Sequence, residues 1–135
     1  MKTNERNYKA EVTYSTRELT AREKIKFKDT TSAIALDDVV TVDKPIELTI
    51  DTVVKISVEN GAIKGDDGND KEYDVLVFTT DTGDVYKTSS PSFETSIIDI
   101  FDELQELNDT DPVTVRIFKK PSKNFNGEFI ICSLV

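Results

Sequence analysis

The chain has 135 residues, a net charge of -9 at neutral pH, one cysteine and no histidine. That length suits one domain spanning residues 1–135 with its own hydrophobic core, and the cysteine and histidine counts exclude an intramolecular disulfide and a Cys/His zinc site. No apolar run approaches the ~18 residues of a membrane span and no signal-peptide stretch opens the chain, so a soluble, intracellular protein with no membrane partner is expected.

Tyr8-Lys-Ala-Glu-Val-Thr-Tyr14 reads as a strand with Tyr8, Ala10, Val12 and Tyr14 on one face. Ser15-Thr-Arg-Glu18 and Thr20-Ala-Arg-Glu23 both spell capping boxes, so a short helix is expected within 16–24. Ile25-Lys-Phe-Lys28 alternates apolar and basic residues, as an edge strand does. Residues 29–44 hold a polar loop and Ala33-Ile-Ala-Leu-Asp-Asp-Val-Val40, which has no decisive period. Ile46 to Val58 predicts a long strand with Ile46, Leu48, Ile50, Val54, Ile56 and Val58 on one face, interrupted by Thr52 and ended by Asn60-Gly61. An acidic, turn-rich loop at 65–70 follows. Tyr73–Thr80, the tight turn Asp81-Thr-Gly-Asp84 and Val85-Tyr-Lys87 then make a hairpin.

The period changes after Ser90, which can cap a helix with Pro91 at its first position, where a missing N–H costs nothing. Phe93, Ile97, Ile100, Phe101, Leu104 and Leu107 recur every three or four residues, with Asp99, Asp102, Glu103 and Glu106 mostly opposite. Asp109 to Pro112 ends the helix. Val113–Lys119 and Glu128–Val135 are strands joined by a loop at 120–127. Four to six strands, one long inserted helix and a terminal hairpin predict a mainly β fold. The expected form is an OB-like five-stranded barrel with a helix between strands and a C-terminal hairpin.

The charge is unevenly spread. Residues 1–30 carry 8 Lys/Arg against 5 Asp/Glu, residues 31–112 carry 5 against 20, and residues 113–135 carry 4 against 1. An acidic total argues against a broad nucleic-acid surface but leaves room for a narrow basic groove. In the strand from Val113, residues Val113, Val115 and Ile117 face one way, and Thr114, Arg116, Phe118 and Lys120 the other. A ring between two cations can stack on a base of any identity while the cations hold phosphates. Lys119, Lys120, Lys123, Asn124 and Phe125 continue the theme into the loop. The same residues also suit an edge strand with Phe118 in the core and lysines that deter aggregation. Alternation leaves both open. Arg22, Lys24, Lys26 and Lys28 either extend a basic groove or face solvent around a core Phe27. Pattern does not say which of Tyr73, Phe78 and Tyr86 is exposed.

The acidic loop lacks the ligand spacing of an EF-hand. No histidine is present for acid–base work or for a Ser/Cys–His pair, and there is no glycine-rich phosphate loop. No enzymatic activity, metal or cofactor is expected. Cys132 reads as a small buried hydrophobe.

Three blocks resemble the small single-stranded DNA-binding proteins of phages infecting Gram-positive bacteria. They are Glu18-Leu-Thr-Ala-Arg-Glu-Lys-Ile-Lys-Phe-Lys-Asp29, Tyr86-Lys-Thr-Ser-Ser-Pro-Ser-Phe93 running into Ile97-Ile-Asp-Ile-Phe-Asp102, and Pro121-Ser-Lys-Asn-Phe-Asn-Gly127 before Phe129-Ile-Ile-Cys-Ser133. The last is the most specific. The order of a Tyr-ending strand, a Ser/Phe-led helix and a basic hairpin is also similar to the replication proteins of this class in protein-priming phages. The resemblance implies an OB-like fold and cooperative, sequence-tolerant coating of single-stranded DNA. It implies a homo-oligomer acting in phage replication or recombination, in the cytoplasm of the infected bacterial host, beside a phage recombinase or polymerase. By position it implies Arg22, Lys24, Tyr86, Lys120, Ser122, Lys123, Asn124 and Phe125 as contact residues, in addition to the Arg116 and Phe118 singled out by the strand pattern. Pro91 and Glu94 depart from the less constrained helix entry expected of the family. The chain ends in Ser-Leu-Val instead of an acidic tail, so tail-mediated recruitment of partners is not expected. The alternative expectation is a phage-encoded interaction protein, such as a DNA-mimic inhibitor of a host nucleic-acid enzyme, using the acidic middle segment. A docking role for the acidic helix is a further option.

Overall fold

The structure is a computed structural model that describes residues 8–64, 70–122 and 127–135. Its strands are β1 (Tyr8–Ser15), β2 (Ile34–Ala35), β3 (Ile46–Lys64), β4 (Asp70–Thr80), β5 (Val85–Thr88), β6 (Val113–Pro121) and β7 (Glu128–Leu134). Its helices are α1 (Ala21–Lys28), α2 (Leu36–Val39) and α3 (Pro91–Glu106). The sheet runs β2-β5-β4-β3-β6-β7, and β1 also joins β3. The last five strands lie in the order β5-β4-β3-β6-β7, with α3 between β5 and β6 along the chain. They form a curled half-barrel sheet packed against α3, consistent with the expected OB-like fold. Among the described residues no helix is long and apolar enough to cross a membrane.

β3 organises the sheet. Its first half pairs with β6, from Ile46 opposite Ile117 to Ile50 opposite Val113. Its second half pairs with β4 on one edge and β1 on the other. Between Ile50 and Thr52 it carries one extra residue against Thr80 and Thr79 of β4. This bulge turns the strand over. Ile46, Leu48, Ile50 and Val53 face α3, whereas Val54 and Ile56 are buried on the opposite face. The expected single apolar face from 46 to 58 is corrected accordingly, because one inserted residue inverts every side chain after it. The strand also passes Asn60-Gly61 and reaches Lys64. Thr52, fully buried at the bulge, accepts a hydrogen bond from Arg17 Nε at 3.0 Å and donates one to Asp51 at 2.9 Å.

Two cores result. On the inner face, Phe93, Ile97 and Phe101 of α3 recur at four-residue intervals and pack against β3 through β7. Phe78 is stacked on Tyr86 with ring centroids 5.2 Å apart, and it meets Phe93 at 5.6 Å in a tilted contact. On the outer face, Phe27 of α1 covers Val54, Ile56 and Val77. Lys55 stays on the inner side at the barrel mouth, 2.6 Å from Glu94 of α3 and 3.5 Å from Asp74. The Glu94 contact comes first in raising the Lys55 pKa.

The helices follow their caps. Ser90 accepts from the Phe93 N–H, and Pro91 takes the first position, as the sequence predicts. Asn108, at φ 58°, ends α3 by adopting the left-handed conformation. It lets Asn108 and Asp109 N–H donate to the Gln105 and Leu104 carbonyls. The helix thus stops before Asp109, and Leu107, expected on the apolar face, is 72% exposed. In α1 only the second capping box operates, with Thr20 and Glu23 bonding reciprocally. The helix therefore runs later than expected and absorbs Ile25–Lys28, the residues that alternate like an edge strand.

Glu23 also accepts from Arg17, and this bond, with the Thr20 backbone bond, holds its carboxyl at about pH 2 in place of the ordinary 4.5. A carboxylate with a depressed folded pKa stabilises above its ordinary value and loses that contribution as pH falls toward the depressed one. Fraying of α1 should therefore set in between pH 4.5 and about 2, and the Glu23 carboxyl resonance should titrate by NMR in the same window. A midpoint near 4.5 would contradict the Arg17 contact.

β7 lies at the end of the sheet, and α3 guards its open edge. Ser92 Oγ donates to the Ile130 carbonyl at 2.9 Å, and the Cys132 N–H donates to Ser96 Oγ at 3.2 Å. The two serines are one helical turn apart, so a helix face satisfies the backbone groups that a further strand would otherwise take. Cys132 itself is buried beside Ser96, and burial pushes its thiol pKa up.

Candidate nucleic-acid interface

The β6–β7 hairpin presents its outer face away from α3. The register sets Arg116 opposite Ser133, Phe118 opposite Ile131 and Lys120 opposite Phe129. On the β3 side Glu47 lies opposite Arg116, and Thr49 meets Thr114 hydroxyl to hydroxyl at 2.8 Å. Val115, Ile117, Ile130 and Cys132 point the other way and are buried. The inward and outward sets on β6 are those its alternation predicts. Phe118 is thus not a core residue: it, Phe129 and Ile131 are half-buried, while Arg116 and Lys120 are exposed. Lys120 Nζ stands 5.6 Å from the centroid of the Phe118 ring, a cation–π distance.

The remaining predicted residues scatter. Ser122, at the base of the hairpin loop, donates its N–H to the Gly127 carbonyl at 2.8 Å. Lys123, Asn124 and Phe125 lie outside the described residues. Lys119 turns to the inner side and donates to the Asp37 carbonyl at 3.1 Å. Arg22 and Lys24 are exposed on α1, which rests over β3 and β4 through Phe27. They belong to a different element from the hairpin face.

Tyr86 requires a correction. β5 buries Tyr86 and Thr88 and turns Val85 and Lys87 outward. The Tyr86 ring is committed to Phe78 within the core and offers no face to a base. Burial, with Asp84 adding to it, raises its pKa. Conversely, Phe129 and Ile131 complete the outer face and were not singled out by sequence. Their signal is the pairing register between β6 and β7, which places them beside Lys120 and Phe118.

OB-like barrels commonly take oligonucleotides on the face of their second and third strands and on the loops after the first and fourth. Counted from β3, that face is β4–β5, and α1 covers part of its outer side. A groove of about 640 Å³ remains beside α1, with Ile25, Lys28, Thr30 and Tyr73 among its walls. A second cavity of about 420 Å³ lies at the β3 bulge, lined by Arg17 and by Asp51, Asp81, Asp109 and Asp111. Its carboxylates repel phosphates.

Comparison with known protein families, curated proteins and solved structures finds no match. The hairpin face offers two aromatic rings on a rigid two-stranded support, flanked by two exposed cations. Glu47 opposite Arg116 limits how far the positive potential spreads toward β3. The result is a narrow basic and aromatic track on an acidic body.

Proposed function

We propose that this protein binds single-stranded DNA without strong sequence preference through the outer face of β6 and β7. The observation that carries the proposal is the row Arg116, Phe118, Lys120 on β6, with Phe129 and Ile131 beside it on β7. A ring face stacks on any base at about 1–3 kcal/mol per base, while neighbouring cations neutralise the phosphates. The loop that follows Ser122 contributes Lys123, Asn124 and Phe125 next to this row in sequence. Its resemblance to phage single-stranded DNA-binding proteins supports the same role. In that role the protein coats or organises single strands during phage replication or recombination in the host cytoplasm, beside a recombinase or polymerase, without catalysis. The acidic remainder of the surface confines DNA to the track and disfavours other contacts.

Fluorescence anisotropy with oligo-dT at several salt concentrations tests this. Affinity should fall with salt at a log–log slope of about -0.7 per phosphate neutralised, so Arg116 and Lys120 together should give about -1.4. An absence of binding at micromolar protein and low salt would remove the proposal.

A further inference from the structure

Two sheet edges of this protein are treated differently. β7 is sealed by Ser92 and Ser96. β1 has a strand partner on one side only among the described residues, namely β3. Its C-terminal end is occupied. A register shift between Val12 and Tyr14 breaks the regular strand there. The Tyr14 hydroxyl donates to Asp102 at 3.0 Å, and Gln105 donates to the Thr16 carbonyl at 2.9 Å, so α3 stands over that end. The regular part of β1 that remains is Tyr8–Val12, which contains no proline and no bulge. An edge of this kind is a ready template for another strand.

The chemistry of those five residues specifies which strand. Ala10 is their centre. Two identical strands that pair antiparallel about a two-fold axis place residue i opposite residue j with i and j adding to a fixed even number. With Ala10 opposite its own copy, Lys9 stands opposite Glu11 of the second copy, and Glu11 opposite Lys9, once on each side of the axis. Recentring on Lys9 or on Glu11 sets like charges face to face. Lys9 and Glu11 are both exposed. The ion pairs described in the chain involve neither of them. Opposite charges directly across an antiparallel pair favour that register, and like charges oppose it.

We propose that β1 is a homodimerisation strand: two copies pair antiparallel through Tyr8–Val12, centred on Ala10, and are locked in register by two Lys9–Glu11 contacts. The sheet then continues through β3 and β1 of one copy into β1 and β3 of the other. Ala10 also lines the groove beside α1, so the grooves of the two copies become neighbours across the axis. The proposal is independent of DNA binding.

Sedimentation equilibrium on the full chain tests it. The wild type should show twice the chain mass at micromolar concentration. Lys9→Glu and Glu11→Lys each create like-charge pairs and should sediment as monomers. Mixed in equal amounts, the two variants restore both opposite-charge contacts and should form a heterodimer. Lys9 lies opposite Glu59 within the chain, so Lys9→Glu places a second strain on β1 itself. An Ala10→Cys substitution supplies a test free of that strain. It brings two thiols directly opposite one another, within disulfide reach, and mild oxidation should crosslink the copies. Cys132 is buried and does not compete. Adding Glu11→Lys to that variant should suppress the crosslink. A monomeric wild type, a Glu11→Lys variant that remains dimeric, or an Ala10→Cys variant that does not crosslink would overturn the proposal.

Discussion

Replacing Phe78 by alanine should lower the unfolding free energy by about 3–5 kcal/mol, the range for a fully buried aromatic whose cavity cannot collapse. Phe78 has no exposed surface and lies between the rings of Tyr86 and Phe93. It therefore joins β4, β5 and α3, and its loss removes contacts on three elements at once. Against a total stability of roughly 5–15 kcal/mol for a domain, the change removes about a fifth of the total at the least. Urea unfolding followed by circular dichroism measures it through the transition midpoint. A shift below about 1 kcal/mol would mean that Phe78 is not enclosed as described.

The second large effect concerns Phe118. If it stacks on a base, Phe118→Ala should weaken oligo-dT binding by about 1–3 kcal/mol, or roughly 5- to 150-fold. The ring is half-buried whereas Phe78 is fully buried, so the stability change should be smaller than at Phe78. Tyr86 is the matched control. Tyr86→Phe keeps the ring against Phe78 and should leave oligonucleotide affinity unchanged, because that ring is inside the core. Anisotropy titrations of both variants separate the two positions. Equal affinity for wild type and Phe118→Ala would exclude Phe118 as a stacking residue.

The parts legible from sequence were those whose signal is local and long enough to repeat. α3 carries Phe93, Ile97, Ile100, Phe101 and Leu104 at three- or four-residue spacing behind a Ser90-Pro91 entry, and it forms where those residues predict. β6 alternates over seven residues without interruption, so its two faces are read correctly. β3 alternates over a longer stretch with a break at Thr52, and its second half faces the opposite way. The bulge is held by Arg17 and Thr16, which reach Thr52 and the Val53 N–H from more distant parts of the chain. Within 46–58 its trace is the interruption of the apolar alternation at Thr52. α1 starts later than expected because two capping boxes follow one another, at Ser15–Glu18 and Thr20–Glu23, and Ile25–Lys28 is too short to fix a period. Tyr86 sits on a four-residue strand whose alternation defines two faces without saying which is inside. In the candidate site the β6 half was visible from its own pattern. Phe129 and Ile131 were not, since their position beside Phe118 depends on where the hairpin register falls.

The position of β3 at the centre of the sheet also has a consequence for how the chain acquires its shape during synthesis. The second half of β3 meets β1, already made, and β4, made shortly afterwards. Its first half must wait for β6, with β4, β5 and α3 all intervening. Until Val113–Ile117 leaves the ribosome, Ile46, Leu48 and Ile50 have no neighbour on that edge. Closure of such distant pairs is slow relative to local structure, and apolar strand edges left waiting are where nascent chains associate wrongly. Glu47, on the same stretch and exposed, places a charge on that edge during the interval.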